Sequence, residues 1–255
     1  MQNLTINIPG GLAVSGLLLA PARSSACYVM AHGAGAGMTH PFMTAVAAGL
    51  RERDIATLRY QFPYMEQGAK RTDRPEVAHA AVRASVHAAA SLMPSVPLIA
   101  GGKSFGGRMT SQAQAESPLP GVLGLAFFGF PLHSAKKPSD NRARHLDQVN
   151  VPMLFFQGTR DALAELPLMI TVIDRLEARA TLKTIEGADH SFHVPVRSGR
   201  SDAEVLTEML DGMATWVNEV VLQTQPRPDA AAPPKGRRAA MAYARTDGQS
   251  ACRFH

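Results

Sequence analysis

The residues of this chain best suited to chemistry are a serine, a carboxylate and a histidine, met in that order. Ser104 stands in "GGKSFGG", where Gly102 and Gly106 complete the pattern G-x-S-x-G. A serine hydroxyl is a poor nucleophile until a neighbouring base accepts its proton, and a histidine oriented by a carboxylate is a common base at neutral pH. Downstream, "QGTRDAL" offers Asp161, with Glu165 as the alternative carboxylate, and "GADHSFHVP" offers His190, with His193 as its competitor. Asp161 falls just past an apolar run, and Gly187 makes His190 the histidine nearer the end of the next one. The chemistry would be acyl transfer, with Ser104 attacking a carbonyl, His190 taking the proton and Asp161 holding the imidazole. The tetrahedral oxyanion needs backbone N–H donors. Phe105, directly after the serine, is one candidate, and Ala34, in the small-residue turn His32-Gly33-Ala34-Gly35, is the other. A phosphate-binding loop is the competing reading of these glycines. No G-x-G-x-x-G runs into a helix, however, and the first glycine of a P-loop ending in Gly102-Lys103-Ser104 would have to be Pro97.

These residues can meet only if strands deliver them to one edge. Short apolar runs alternate with amphipathic or Ala-rich stretches, the pattern of helices packed on a mostly parallel sheet. "NLTINI" and "GLLLAP" read as an opening hairpin, and "ACYVMAHG", "IATLRYQF", "VPLIAGG", "GVLGLAFFGF", "VPMLFFQG" and "ATLKTIEG" as further strands. Helices are predicted over "HPFMTAVAAGLRERD", over "RPEVAHAAVRASVHAAASLMP" with Pro75 in its first turn, and over "GGRMTSQAQAES". The last helix begins at Ser201, where Glu204 completes a capping box, and Val205, Met209, Leu210, Met213 and Trp216 fall on one face. Ser104 therefore sits on a sharp strand–turn–helix, the setting a nucleophile elbow requires. Glycines on either side leave room for the tight turn, and the following helix N-terminus favours developing negative charge.

Composition narrows the class. A chain of 255 residues, 45% hydrophobic and 18% charged, suits one globular domain. Two distant cysteines, Cys27 and Cys252, form neither a disulfide framework nor a metal cluster, so a reducing, cytoplasmic setting is expected. No apolar run is long enough for a membrane span, and the segment before "GLLLAP" lacks the basic start of a signal peptide. From Thr224 onward stand six basic residues and two acidic ones, which account for four of the five net positive charges. The basic balance belongs to that end of the chain, so no specific nucleic-acid partner is expected. The expected organisation is a domain at 1–223 and a disordered Pro/Ala/Arg-rich tail at 224–255. No cofactor is expected, and His40, His79, His87, His133 and His145 show no metal-ligand spacing.

Taken together, "HGAGAGMTHPFM", "YQFPYME", "GGKSFGGRM", "FFGFPLH", "QGTRD" and "GADHSFHVP" resemble the small bacterial dienelactone-hydrolase-like branch of the α/β hydrolases. The resemblance spans nearly the whole domain. It implies an α/β-hydrolase fold, with nucleophile, acid and base at Ser104, Asp161 and His190 and oxyanion donors at Phe105 and Ala34. Dienelactone hydrolases proper carry cysteine where this chain has Ser104, so a different substrate is expected. Only about 20 residues separate Phe130 from Val151, too few for a large lid. An open site for a small ester or thioester is expected, with His133 lining it. Lys136, Lys137, Arg142 and Arg144 read as a solvated loop, or as an attraction for anionic substrates. The alternative function is a non-catalytic binding or scaffold protein on the same fold.

Overall fold

The computed structural model describes residues 1–222. The tail expected at 224–255 lies outside the described residues. Eight strands form one sheet in the order β1-β2-β4-β3-β5-β6-β7-β8. The expected hairpin is β1 (Gln2–Ile8) against β2 (Leu12–Leu19), and β2 also runs antiparallel to β4 (Ile55–Tyr60). The remaining pairings are parallel, through β3 (Ala26–Ala31), β5 (Leu98–Lys103), β6 (Val122–Phe128), β7 (Met153–Gly158) and β8 (Ala180–Ile185).

The central strands are apolar on both faces because helices cover both. Successive side chains of a strand point to opposite sides, and the core divides accordingly. Cys27, Val29, Leu125, Phe127 and Phe155 belong to one apolar layer, while Tyr28, Met30, Ala126, Phe128 and Phe156 belong to the other. The first layer packs under α3 (Pro75–Leu92), α4 (Phe105–Glu116) and α5 (Leu166–Leu176), the second under α1 (Pro41–Arg51) and α6 (Asp202–Trp216). Pro75 opens α3 at its first position, and Ser201 caps α6 in the expected box with Glu204.

Several short elements escape the apolar periodicity, two of them beside the strands that carry the site. A single turn, α2 (Pro63–Glu66), follows β4, and a 3₁₀ helix, Asn141–Gln148, occupies the segment between β6 and β7. The first is too short to show a period. The second buries only Ala143 and Leu146 and is otherwise polar. No helix among the described residues is long and apolar enough to cross a membrane.

The sheet order places the site. β5, β6, β7 and β8 are consecutive neighbours, and the loops leaving β5, β7 and β8 carry Ser104, Asp161 and His190. The loop leaving β3, on the other side of β5, carries Ala34. Ligands of open parallel sheets bind outside the carboxyl ends of the strands, and all four residues stand there.

Candidate active site

Ser104 occupies the corner between β5 and α4 with φ 50° and ψ −114°, a backbone state that residues with a Cβ rarely adopt. Its neighbours show why glycine surrounds it. Gly102 has φ 153°, and a Cβ there would lie 2.2 Å from the Ala31 carbonyl oxygen. A Cβ on Gly106 would lie 2.5 Å from the His32 carbonyl oxygen and 2.6 Å from that of Ala31. The strand, the turn and the first turn of α4 thus close onto the end of β3 with no room for a side chain.

The Ser104 hydroxyl lies 2.8 Å from His190 Nε2, and His190 Nδ1 lies 2.7 Å from Asp161 Oδ2. An ionised carboxylate can only accept, so Nδ1 carries the proton and Nε2 is left to accept from the serine. Asp161 is 2% exposed. Its Oδ1 accepts from the Leu163 N–H at 2.8 Å, and its Oδ2 accepts from Gln157 Nε2 at 2.5 Å as well as from His190. Gln157 is a site residue that sequence reasoning missed. Its only local sign is a polar residue next to the last position of a buried strand.

The competitors fall elsewhere. His193 is exposed, and its Nδ1 pairs with Asp202 at 2.9 Å, which raises its pKa. Glu165 precedes α5 as its N-cap residue. His133 is 3% exposed, its Nδ1 bonds the Ser134 carbonyl, and it is not among the residues lining the cavity at Ser104. The basic loop also stays away from that cavity. Arg142 donates to the His133 carbonyl and to Ser134 Oγ, holding the loop onto itself.

The loop after β3 is built around a buried, uncharged histidine. His32 Nδ1 bonds the Gly33 carbonyl at 2.8 Å, and its Nε2 accepts from the Phe62 N–H at 3.0 Å. Burial pushes His32 down to about 4, against the opposing pull of the Gly33 carbonyl. Tyr64 Oη accepts from the Gly35 N–H at 2.9 Å, and Asp73 in turn accepts from the Tyr64 N–H. Between these tethers, the Ala34 N–H has no acceptor among the described residues. The Phe105 N–H, first in α4, has none either, as expected for a helix N-terminus. Gly33 packs against the serine, for a Cβ there would lie 3.8 Å from Ser104 Cβ.

These elements surround a cavity of about 370 Å³. Gly33, Ala34 and Ala36 line one side and Phe42 and Met43 of α1, with His40 at its head, another, and Lys103, Ser104, Leu163, His190 and Ser191 complete it. A larger groove, about 600 Å³, lies along α3 and the Ser117–Pro120 loop, and it shares no lining residue with the serine cavity. Nothing in that groove pairs a nucleophile with a base.

A family model described as an alpha/beta hydrolase domain matches residues 24–218. Among solved structures, an α/β serine hydrolase homologue from Coxiella burnetii is similar with a TM-score of 0.67 and 18% identity, covering 83% of this chain and 97% of that one. A member of the α/β serine hydrolases without lid from Xanthomonas campestris gives 0.68 at 22% identity, covering 84% and 94%. A dienelactone hydrolase from Anabaena variabilis gives 0.68 at 19% identity, covering 86% and 98%. At these identities the likeness to the solved structures is one of fold.

Proposed function

The chain belongs to the alpha/beta hydrolase domain family, and from that premise we propose that it is a serine hydrolase cleaving small carboxylic esters or thioesters through an acyl-enzyme. One observation carries the reading. Ser104 Oγ, His190 and Asp161 form an unbroken hydrogen-bonded relay, on a serine held in a strained corner at the mouth of a cavity.

In this reaction the Ser104 oxygen attacks the substrate carbonyl while its proton passes to His190 Nε2. Asp161 keeps the imidazole in the required tautomer and balances the imidazolium that forms. The free N–H groups of Phe105 and Ala34 receive the oxyanion, at a helix N-terminus that favours negative charge. His190 then returns the proton to the departing alcohol or thiol. Water, deprotonated by the same imidazole, attacks the acyl-serine, and the acid leaves with Ser104 restored.

The cavity size favours small acyl groups. The segment between β6 and β7 packs its 3₁₀ helix against α4, where His145 Nε2 meets Ser111 Oγ at 2.8 Å, and contributes nothing to the cavity lining. That arrangement supports an open site. The structural relatives described above are serine hydrolases and a dienelactone hydrolase, which accords with ester cleavage.

The test is labelling with a fluorophosphonate probe alongside hydrolysis of p-nitrophenyl acetate. Wild type is expected to label and turn over, and Ser104→Ala to lose labelling and at least about 10³-fold in kcat with its fold intact. A well-folded wild type that neither labels nor hydrolyses any short ester or thioester would instead favour the non-catalytic binding protein.

A further inference from the structure

Of the buried and partly buried charges that the mechanism leaves without a role, one touches the base. Lys103 is the last residue of β5, next to Ser104 in the chain, yet its side chain reaches the loop after β8. Its Nζ donates to the carbonyl oxygen of His190 at 2.5 Å. The ammonium also faces two aromatic rings, 5.0 Å from the centre of Phe192 and 5.8 Å from that of Phe42. Those rings stack on each other at an interplanar angle of 13°. Phe192 is itself held at φ 66°, so the loop carries backbone strain where its ring meets Lys103. Gly129 marks how tightly the group is seated. A Cβ there would lie 2.9 Å from Lys103 Nζ and 3.4 Å from His190 Nδ1 and Cε1, so ammonium and imidazole rest on the same glycine.

We propose that Lys103 is a positioning residue: anchored on the strand that presents the serine, its ammonium grips the His190 carbonyl and fixes the base at its distance from Ser104. The proposal rests on the hydrolase reading above. The charged and titratable groups around Lys103 are Asp161 on the loop after β7, Asp189 and His190 on the loop after β8, and His40, which lines the same cavity at the head of α1. Burial pulls Lys103 down to about 8, with Asp161 and Asp189 opposing the shift. The fold therefore keeps a charge where burial disfavours it, and an apolar chain of similar length would pack there without that cost. A merely structural residue would be replaceable by methionine with no loss of turnover.

The experiment compares wild type, Lys103→Met and Lys103→Arg on p-nitrophenyl acetate, with melting temperatures and amide hydrogen exchange of residues 188–193. Lys103→Met is expected to keep or raise the melting temperature, to lower kcat about 10- to 100-fold with KM within about twofold, and to speed exchange in that loop. Wild-type kcat should fall as pH rises through about 8, where the ammonium loses its proton. Lys103→Arg should recover part of the activity and keep it to higher pH, because guanidinium stays charged. Wild-type kcat, an unchanged alkaline limb and unchanged exchange in Lys103→Met would overturn the proposal. So would a raised KM with unchanged kcat, which would mean substrate contact. Should Lys103→Met not fold, the alkaline limb of Lys103→Arg decides, and a limb still near 8 overturns it. Should wild type neither label nor turn over, the hydrolase reading fails by itself and exchange decides the tether: faster exchange in Lys103→Met or Lys103→Arg supports it, and unchanged exchange overturns it.

Discussion

The two halves of the site are held by different means. On the serine side the backbone does the positioning. Ser104 sits in its corner because Gly102 and Gly106 let β5 and α4 close against the end of β3, with no side-chain cap on α4 and only Thr110 Oγ1, from within α4, bonding the Gly106 carbonyl there at 2.9 Å. On the histidine side the loop from Gly187 to Pro195 is held largely by side-chain hydrogen bonds, from within the loop and from elsewhere. Asp189 Oδ1 accepts the Ser191 and His193 N–H groups within the loop. Asp202, at the start of α6, accepts the Val194 N–H and pairs with His193. Lys103 holds the His190 carbonyl from β5, and Asp161 holds the ring. A site whose proposed nucleophile is fixed by sterics and whose proposed base is fixed by hydrogen bonds should fail in two different ways. Damage to the first should be structural and abrupt, and damage to the second graded and dependent on protonation.

The sharpest break is Gly106→Ala. The added methyl would press on the backbone of Ala31 and His32, and backbone cannot step aside as the end of a flexible side chain can. We expect destabilisation of about 3 kcal/mol or more, together with loss of turnover as Ser104 is pushed from its corner. Urea denaturation and the ester assay on the same sample check this. A stable, active Gly106→Ala would show that the serine turn has slack and would dissolve the contrast.

The same contrast explains what could be read in advance. Seven contiguous residues, "GGKSFGG", carry the serine turn, because its constraint is local. The central strands were legible as well. They are buried on both faces, and their apolar runs are bounded by glycines or prolines. The tethers on the histidine side were not legible. Lys103 meets His190 across a separation of 87 residues, and Gln157, only four residues before Asp161, meets it because the chain turns back after β7; on the serine side, Tyr64 likewise meets Gly35 across 29 residues. The α2 turn and the Asn141–Gln148 helix were missed because neither presents a repeated apolar face. His133 was expected in the pocket from its place at a strand end. That position does not decide which way a ring turns, and this ring turns inward to the Ser134 carbonyl.

A smaller effect tests the loop after β3, which belongs to the serine side but depends on a protonation state. His32 is held neutral, its pKa pulled by burial from 6.5 to about 4. Between those values the unfolded chain binds more protons than the native one, so stability is fully present above about pH 6.5 and is lost as pH falls toward 4. Lowering the pH from 7.5 to 5 should remove about 2 kcal/mol through His32 alone. His145, also pulled to about 4 by burial and by Arg108 and His79, should add a similar loss. Urea denaturation at the two pH values measures the sum, and His32→Gln isolates one share by losing about 2 kcal/mol less over the interval. An equal loss in wild type and His32→Gln would mean that His32 does not titrate in this window, and the loop would then owe its order to Tyr64.

The smallest expected effect falls on the histidine side, three residues from His190. His193 lies in the same turn as His190, and its N–H shares the Asp189 acceptor with that of Ser191. Its ring, however, points to Asp202 at the surface and away from the serine, and the carboxylate raises its pKa. His193→Gln removes the imidazole and keeps a polar side chain that can still donate to Asp202. The Val194 N–H continues to hold the other Asp202 oxygen, so the loop keeps a tether to α6. We expect kcat for p-nitrophenyl acetate to stay within about twofold of wild type, because surface hydrogen bonds to one loop among several tethers contribute little. A loss of tenfold or more with wild-type loop exchange would give His193 a part in the chemistry itself. The same loss with faster exchange at residues 188–193 would instead rank Asp202 alongside Lys103 among the groups that fix His190.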